Sequence, residues 1–302
     1  MKPAAFKYAL PRTLDEALAL KAEYGDDATF LAGGQSLIPA MNFRLAQPEV
    51  LIDINALEEL AFIRTDEESG DLHLGGLTRH RDLQFDPVIA AAQPLLHETA
   101  PNVAHPQIRN RGTLCGNLAH ADPASEFPAV MLALKARLRL QSTAGERWLP
   151  AEEFFVSVFT TARDDDEMLV EVALPAAAPG TGTSFLEVAR RPGDYAMMGV
   201  AAVVVLDEGG TCGDARLTYC SAGETPMAAK VAAAGLIGGR VANEDIAAAA
   251  EQAKQEIAPV GSVHASVDFQ RHLAAVLTRR VLHRALDRAT VGRETRKVAG
   301  PC

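Results

Sequence analysis

The 302-residue sequence predicts an α+β protein of two or three domains, and three observations carry that reading. The first 55 residues alternate strand and helix patterns as in a small β-α-β module. The last third places strands ahead of helices, as in a domain with helices on one face of a sheet. The length allows more than one core to be buried. Apolar residues make up 48% and charged residues 23%, ordinary for a soluble globular chain. The formal charge of −10 argues against nucleic acid or an anionic membrane as the main partner, because phosphates would be repelled. The dense basic stretches, Arg79-His80-Arg81 and Arg109-Asn110-Arg111, are short.

The elements follow in order. "TLDEALALKAEY" (13–24) places Leu14, Ala17, Leu18 and Lys21 at helical spacing, with Thr13 as N-cap, Glu16 completing a capping box and Gly25 ending the helix. "ATFLAGG" reads as a short buried strand entering a glycine turn, and "EVLIDI" (49–54) as a second strand. "LHLGGLTRHRDL" (72–83) reads as strand, turn and helix start, with Thr78 as N-cap. Residues 87–99 read as one helix after Asp86, and "AVMLALKARLRL" (129–140) as a helix passing into a strand. "PGTGT" (179–183) is the best linker candidate. Beyond it, strands are expected at 200–206 and within 215–229, and helices at 228–234, 242–258 and 268–289. The charged tail from about 291 is expected to be disordered.

No apolar signal core opens the sequence and no run of about 18 apolar residues occurs, so no integral membrane segment is expected. The four cysteines, 115, 212, 220 and 302, show no paired spacing. That fits a reducing cytoplasm and excludes the usual zinc and iron–sulfur spacings, placing any metal chemistry on a partner. The scattered His73, His80, His97 and His105 form no metal motif, and Asp164-Asp165-Asp166-Glu167 reads as a solvated turn.

Two loops carry the chemistry. "LAGGQS" joins Gly33-Gly34 to Gln35 and Ser36, and successive backbone N–H groups in such a turn can cradle an anion such as a pyrophosphate. "GTLCGN" (112–117) again combines small residues with side-chain donors beside Arg109 and Arg111. A lone Gly-Gly is more often a simple tight turn, and neither loop matches a dinucleotide or nucleoside-triphosphate template. Two such loops in adjacent modules can nevertheless grip one extended cofactor from two sides.

"AGGQSLIPAMNFRLAQPEVLIDI" and "IRNRGTLCGNLAHADPASEFPAVMLAL" resemble the two FAD-binding signatures of the flavin subunit of molybdenum hydroxylases, the medium subunits of the CO dehydrogenase and xanthine dehydrogenase group. "FFVSVFTTARDDDEMLVEVALP" (154–175) and "FLEVARRPGDYAMMGVAA" (185–202) match in family order, so that the resemblance covers residues 1 to about 290. It implies a two-part FAD-binding region of the PCMH type, with subdomains at 1–55 and 56–177, and a C-terminal domain of antiparallel sheet and helices at 178–290.

Position by position, Ala32, Gly33, Gly34, Gln35, Ser36 and Leu37 match the first loop around the FAD pyrophosphate, and Thr113, Cys115, Gly116 and Asn117 match the second. Glu126 matches an acidic position that hydrogen-bonds the flavin's sugar portion in relatives, with Asp122 in the same run. Leu169 matches an apolar flavin contact, and Tyr195 an aromatic position covering the isoalloxazine ring. Cys115 replaces a family glycine; a positive φ there would cost about 1–2 kcal/mol. It reads as a small buried hydrophobe, a redox role being the alternative.

The resemblance implies noncovalent FAD on this chain, with molybdopterin on a separate large subunit and [2Fe–2S] clusters on a small one, in a dimer of heterotrimers. The implied function is electron transfer, from the clusters through FAD to an external acceptor, with no catalytic acid or base on this chain. The alternatives are a stand-alone flavin oxidoreductase acting on a small substrate, and an assembly subunit that has lost FAD.

Overall fold

The structure, a computed structural model, describes residues 2–299, with side chains through residue 292. Its first unit is a parallel sheet of β1 (Lys7–Ala9), β2 (Ala28–Leu31) and β3 (Val50–Asp53) in the order β1-β3-β2. Helix α1 (Leu14–Tyr24) makes the crossover between β1 and β2, with Thr13 Oγ1 accepting from the Glu16 amide at 3.2 Å. Leu14, Ala17 and Leu18 bury its inner face. Lys21 lies on that face too, its ammonium donating to Gly25 O at 2.7 Å and Ala28 O at 2.9 Å, which satisfies carbonyls at the helix end. A second helix, α2 (Leu37–Asn42), follows the glycine loop.

The second unit is an antiparallel sheet of β4 (Ile63–Thr65), β5 (Leu72–Gly75), β6 (Arg137–Ser142) and β7 (Gly145–Pro150), then, after the hairpin β8 (Phe155–Ser157) and β9 (Thr160–Thr161), β10 (Met168–Leu174). The order is β4-β5-β10-β6-β7, so the wholly buried β10 is central. Between β5 and β6 run α3 (His80–Phe85), α4 (Pro87–Ala92), α5 (Pro94–Thr99), α6 (Pro106–Arg109), α7 (Leu114–His120) and α8 (Glu126–Ala133), and α9 (Ala151–Phe154) follows β7. The single helix expected over 87–99 is two, broken at Gln93 (φ −136°, ψ 72°), because Pro94 excludes its predecessor from helical geometry. Thr78 does not cap α3: its hydroxyl donates to Phe62 O at 3.2 Å, and the Arg79 amide takes the cap position by donating to Asp82 Oδ2 at 3.0 Å.

The third unit is an antiparallel sheet in sequence order, β11 (Thr181–Ala189), β12 (Ala196–Leu206), β13 (Cys212–Cys220) and β14 (Met227–Ala228), with α10 (Lys230–Ala234), α11 (Asn243–Glu256) and α12 (Val267–Ala299). Met198, Val200, Ala202 and Val204 join the core formed with α11 and α12, whereas Ala201, Val203 and Phe185 join the core of the second unit. Both faces of this sheet are therefore covered, one by its own helices and the other by α5 and α8.

One expectation is corrected here. "PGTGT" is no free linker, since β11 begins at Thr181. A Cβ on Gly182 would collide with Ala285 O and stand 2.9 Å from Ala289 Cα, so this glycine lets α12 lie against the strand. Helix α12 runs to Ala299, into the segment expected as a tail. Residues 300–302 of that expected tail lie outside the described residues.

Candidate functional site

The parallel pairing of β2 with β3 delivers the first glycine loop to the carboxyl edge of the small sheet. Just past β3, Asn55 holds that loop, donating from Nδ2 to Ala32 O at 2.8 Å and Leu31 O at 3.3 Å. Gln35 Nε2 donates to Gly33 O at 3.0 Å, and Gly34 turns the chain at φ +71°. Among the described residues, the amides of Gly33, Gly34, Gln35 and Ser36 meet no protein acceptor. They form the row of donors that an anion needs.

Gly33 has a reason the sequence did not disclose. A Cβ there would collide with Arg111 O and stand 2.7 Å from Gly112 Cα. Its small size lets the two loops touch each other.

The second loop is held by an isolated antiparallel bridge between Arg79 and Thr113, with the His80 amide donating to Gly112 O and the Leu114 amide to Thr78 O, both at 2.9 Å. Thr113 Oγ1 caps α7 by accepting from the Gly116 amide at 3.1 Å. Cys115 sits in helical conformation, so the feared positive φ does not arise; burial pushes its thiol well above the usual range. Ser125 Oγ donates to Asn117 Oδ1 at 2.8 Å, leaving the Asn117 NH₂ without a protein acceptor among the described residues. Asp122 Oδ1 accepts the Ala124 amide at 2.9 Å.

His80, unassigned from sequence, is buried beneath this loop, with Nε2 2.9 Å from Thr113 O and no partner at Nδ1. Burial lowers its pKa to about 4, so the ring is neutral, with Nε2–H donating.

Glu126 opens α8, is buried, and meets Glu187 of β11 across the interface with the third unit. Burial, with the Asp122 charge, raises Glu126 to about 7 against the opposing hydrogen bond from Glu187, and burial with the Glu126 carboxyl raises Glu187 to about 8, so the two share protons near neutral pH. Tyr195, 71% exposed, stands on the loop joining β11 to β12. That loop rests on His105, since a Cβ on Gly193 would lie 2.5 Å from His105 Nδ1.

Leu169 of β10 completes the wall. Ala32, Gly33, Gly34, Gln35, Ser36, Leu37, Thr113, Cys115, Gly116, Asn117, Asp122, Glu126, Leu169 and Tyr195 all line one cavity of about 590 Å³. His80, His105, Lys21, Arg163, Glu167 and Gly193 line it too. Arg163 immediately precedes the acidic run expected to be solvated and Glu167 ends it, but Glu167 is buried and pairs with Arg147 through two bonds of 2.6 and 2.7 Å. Arg147 lies 20 residues away on β7, so nothing in the run itself disclosed the pairing.

The cavity combines main-chain donors with apolar and polar side chains. Its unpaired main-chain donors suit a diphosphate, while Leu169 and Tyr195 offer apolar surface and Glu126 and Asn117 polar contacts.

Comparison with known proteins points the same way. Residues 4–177 match the family described as FAD binding domain in molybdopterin dehydrogenase, and residues 183–285 match CO dehydrogenase flavoprotein C-terminal domain. The chain is 43% identical over 295 residues to the 6-hydroxypseudooxynicotine dehydrogenase complex subunit alpha of Paenarthrobacter nicotinovorans, covering 98% of this chain and 99% of that one. It is 37% identical over 285 residues to the carbon monoxide dehydrogenase medium chain of Hydrogenophaga pseudoflava, covering 94% and 98%. Among solved structures, carbon monoxide dehydrogenase from Hydrogenophaga pseudoflava superposes with a TM-score of 0.92 at 38% identity, covering 95% of this chain and 99% of that one. Quinoline 2-oxidoreductase from Pseudomonas putida 86 gives 0.90 at 37%, covering 96% and 99%.

Proposed function

The chain belongs to the FAD-binding medium subunits of the molybdenum hydroxylase family, and on that premise we propose that it is the electron-transfer subunit of such an oxidoreductase. The observation that carries the reading is the row of unpartnered amides at residues 33–36, facing the same cavity as Thr113 and Asn117. These amides, with the Thr113 hydroxyl and the Asn117 NH₂, hold the FAD diphosphate noncovalently. Glu126 receives a sugar hydroxyl, and Asp122 stands beside it. Leu37, Cys115 and Leu169 supply apolar wall, and Tyr195 covers the ring.

Bound FAD supplies an exchange between one-electron and two-electron carriers, which suits a junction between a partner's [2Fe–2S] clusters and an external acceptor. This chain's residues bind the cofactor, exclude water around it and set its electrostatic surroundings; none acts as acid or base on the organic substrate. We assign molybdopterin to a large partner subunit and the clusters to a small one, in a dimer of heterotrimers in the cytoplasm. No helix among the described residues is long and apolar enough to cross a membrane. The FAD-binding subdomains are assigned to 1–55 and 56–177, and the C-terminal domain to 178–290.

The test is flavin content. The purified full chain is expected to carry one FAD, released intact by denaturation. A colourless chain that cannot be reconstituted overturns the proposal, and so does turnover of a small substrate by the isolated chain.

A further inference from the structure

The two glycine loops belong to different sheets, yet one side chain grips both. Arg79, at the start of α3, donates from one guanidinium nitrogen to Asn55 Oδ1 at 2.6 Å and from the other to Arg111 O. Asn55 is the residue whose Nδ2 holds Ala32 O and Leu31 O. Arg111 O is the atom against which Gly33 packs. Asn55 is fixed in turn by Asp53, whose Oδ1 accepts its amide at 2.9 Å and its Nδ2 at 2.6 Å. Asp53 Oδ2 accepts the Tyr8 hydroxyl at 2.5 Å. The chain Tyr8–Asp53–Asn55–Arg79 thus runs behind both loops, and neither Arg79 nor Asn55 lines the cavity.

We propose that Arg79 is a positioning residue that fixes the gap between the loops and thereby the affinity for FAD, through its forked geometry rather than its charge. This rests on the FAD reading of the cavity. A planar guanidinium presents two donors at fixed separation, so it spans two acceptors on separate loops; an ammonium is a point donor. Without the fork, the contact of Gly33 with Arg111 and Gly112 is left to van der Waals packing. The amides of residues 33–36 then lose their fixed bearing on Thr113 and Asn117.

The test is FAD titration of the flavin-free full chain as wild type, Arg79→Gln, Arg79→Lys, Asn55→Asp and the Gln/Asp double variant, with thermal unfolding of each without flavin. Asn55→Asp keeps the acceptor for Arg79 but loses the donors to Ala32 O, Leu31 O and Asp53 Oδ1, setting a second carboxylate beside Asp53. Arg79→Gln and Arg79→Lys are each expected to weaken FAD binding by about tenfold, or about 1.4 kcal/mol. The double variant is expected to be no weaker than the worse single one, because both break one linkage. Unfolding temperatures of the Arg79 variants without flavin are expected to stay close to wild type. Wild-type affinity in Arg79→Lys, additive losses in the double variant, or a fall in flavin-free stability that accounts for the lost affinity overturns the proposal. Should Arg79→Gln fail to fold, Asn55→Asp carries the same test, and wild-type affinity in it overturns the clamp. Wild-type chain that takes up no FAD overturns the functional reading together with the clamp; wild-type uptake with unchanged variants overturns the clamp alone.

Discussion

Adjacent glycines in the first loop do different work. A Cβ on Gly33 meets the Arg111–Gly112 backbone, which cannot yield without parting the loops. One on Gly34 meets only Leu31 Cδ1 at 3.0 Å and Ile38 Cγ1 at 3.1 Å, ends of side chains that can turn aside, though its φ of +71° adds about 1–2 kcal/mol of strain. Gly33→Ala is therefore expected to reduce FAD affinity more than Gly34→Ala, as measured by titration; equal losses would mean that backbone conformation, not loop contact, governs the site. Glu126 and Glu187 supply a second residue-scale prediction. Their folded pKa values lie above the ordinary carboxylate value, so this pair binds more protons in the native chain than in the unfolded one between about pH 4.5 and 8, opposed below about pH 6.5 by buried neutral His80. Stability from this pair is complete below that window and is lost as pH rises through it. The thermal unfolding temperature of the flavin-free chain should fall from about pH 6.5 to pH 8, above the His80 window, and Glu187→Gln should flatten the dependence. An unchanged slope in the variant would show that the protons are held elsewhere.

At the scale of elements, β11 and α12 show what close packing requires. Gly182→Val would drive a side chain into the backbone of α12 at Ala285 and Ala289, an overpacking expected to cost about 1–3 kcal/mol or more in denaturant unfolding. A variant as stable as wild type would mean that the helix can shift at no cost. The same pair explains what could be read from sequence. Periodicity disclosed α1 and the helices of the last third, and short apolar runs disclosed the two longer parallel strands. It did not disclose that "PGTGT" enters a strand, since glycine signals a turn and a tight contact alike. It missed β1, whose pairing with β3 joins residues more than forty apart. The break at Gln93 was legible in Pro94 but was overridden by the apolar pattern on either side. At the site, residues that face the cavity from within a motif were legible. His80 and the Arg79–Asn55 linkage were not, because their partners lie 33 and 24 residues away in the sequence.

The whole molecule is joined through the sheet of the third unit. Phe185, Ala201 and Val203 bury themselves among residues of the second unit, and the Thr218 hydroxyl donates to Ala129 O of α8 at 2.7 Å. Arg216 donates to Ala133 O, a carbonyl at the end of that helix. Tyr195 reaches the cavity from the same sheet, so the site is complete only when the units are docked. Apolar burial of this kind is cooperative, since exposing one face of β12 would place a row of buried side chains in water. Two outcomes are expected. Thr218→Val removes a buried donor at nearly constant volume, and should lower stability by about 1 kcal/mol while preserving one unfolding transition for the whole chain. A fragment beginning at residue 178 should lack fixed tertiary structure, visible as weak near-ultraviolet circular dichroism with retained helical signal. If the fragment instead unfolds sharply with native-like dispersion of its amide resonances, the third unit is self-sufficient. Tyr195 then arrives at the cavity by docking of a preformed domain, and flavin uptake should become bimolecularly dependent on that domain when the two pieces are mixed.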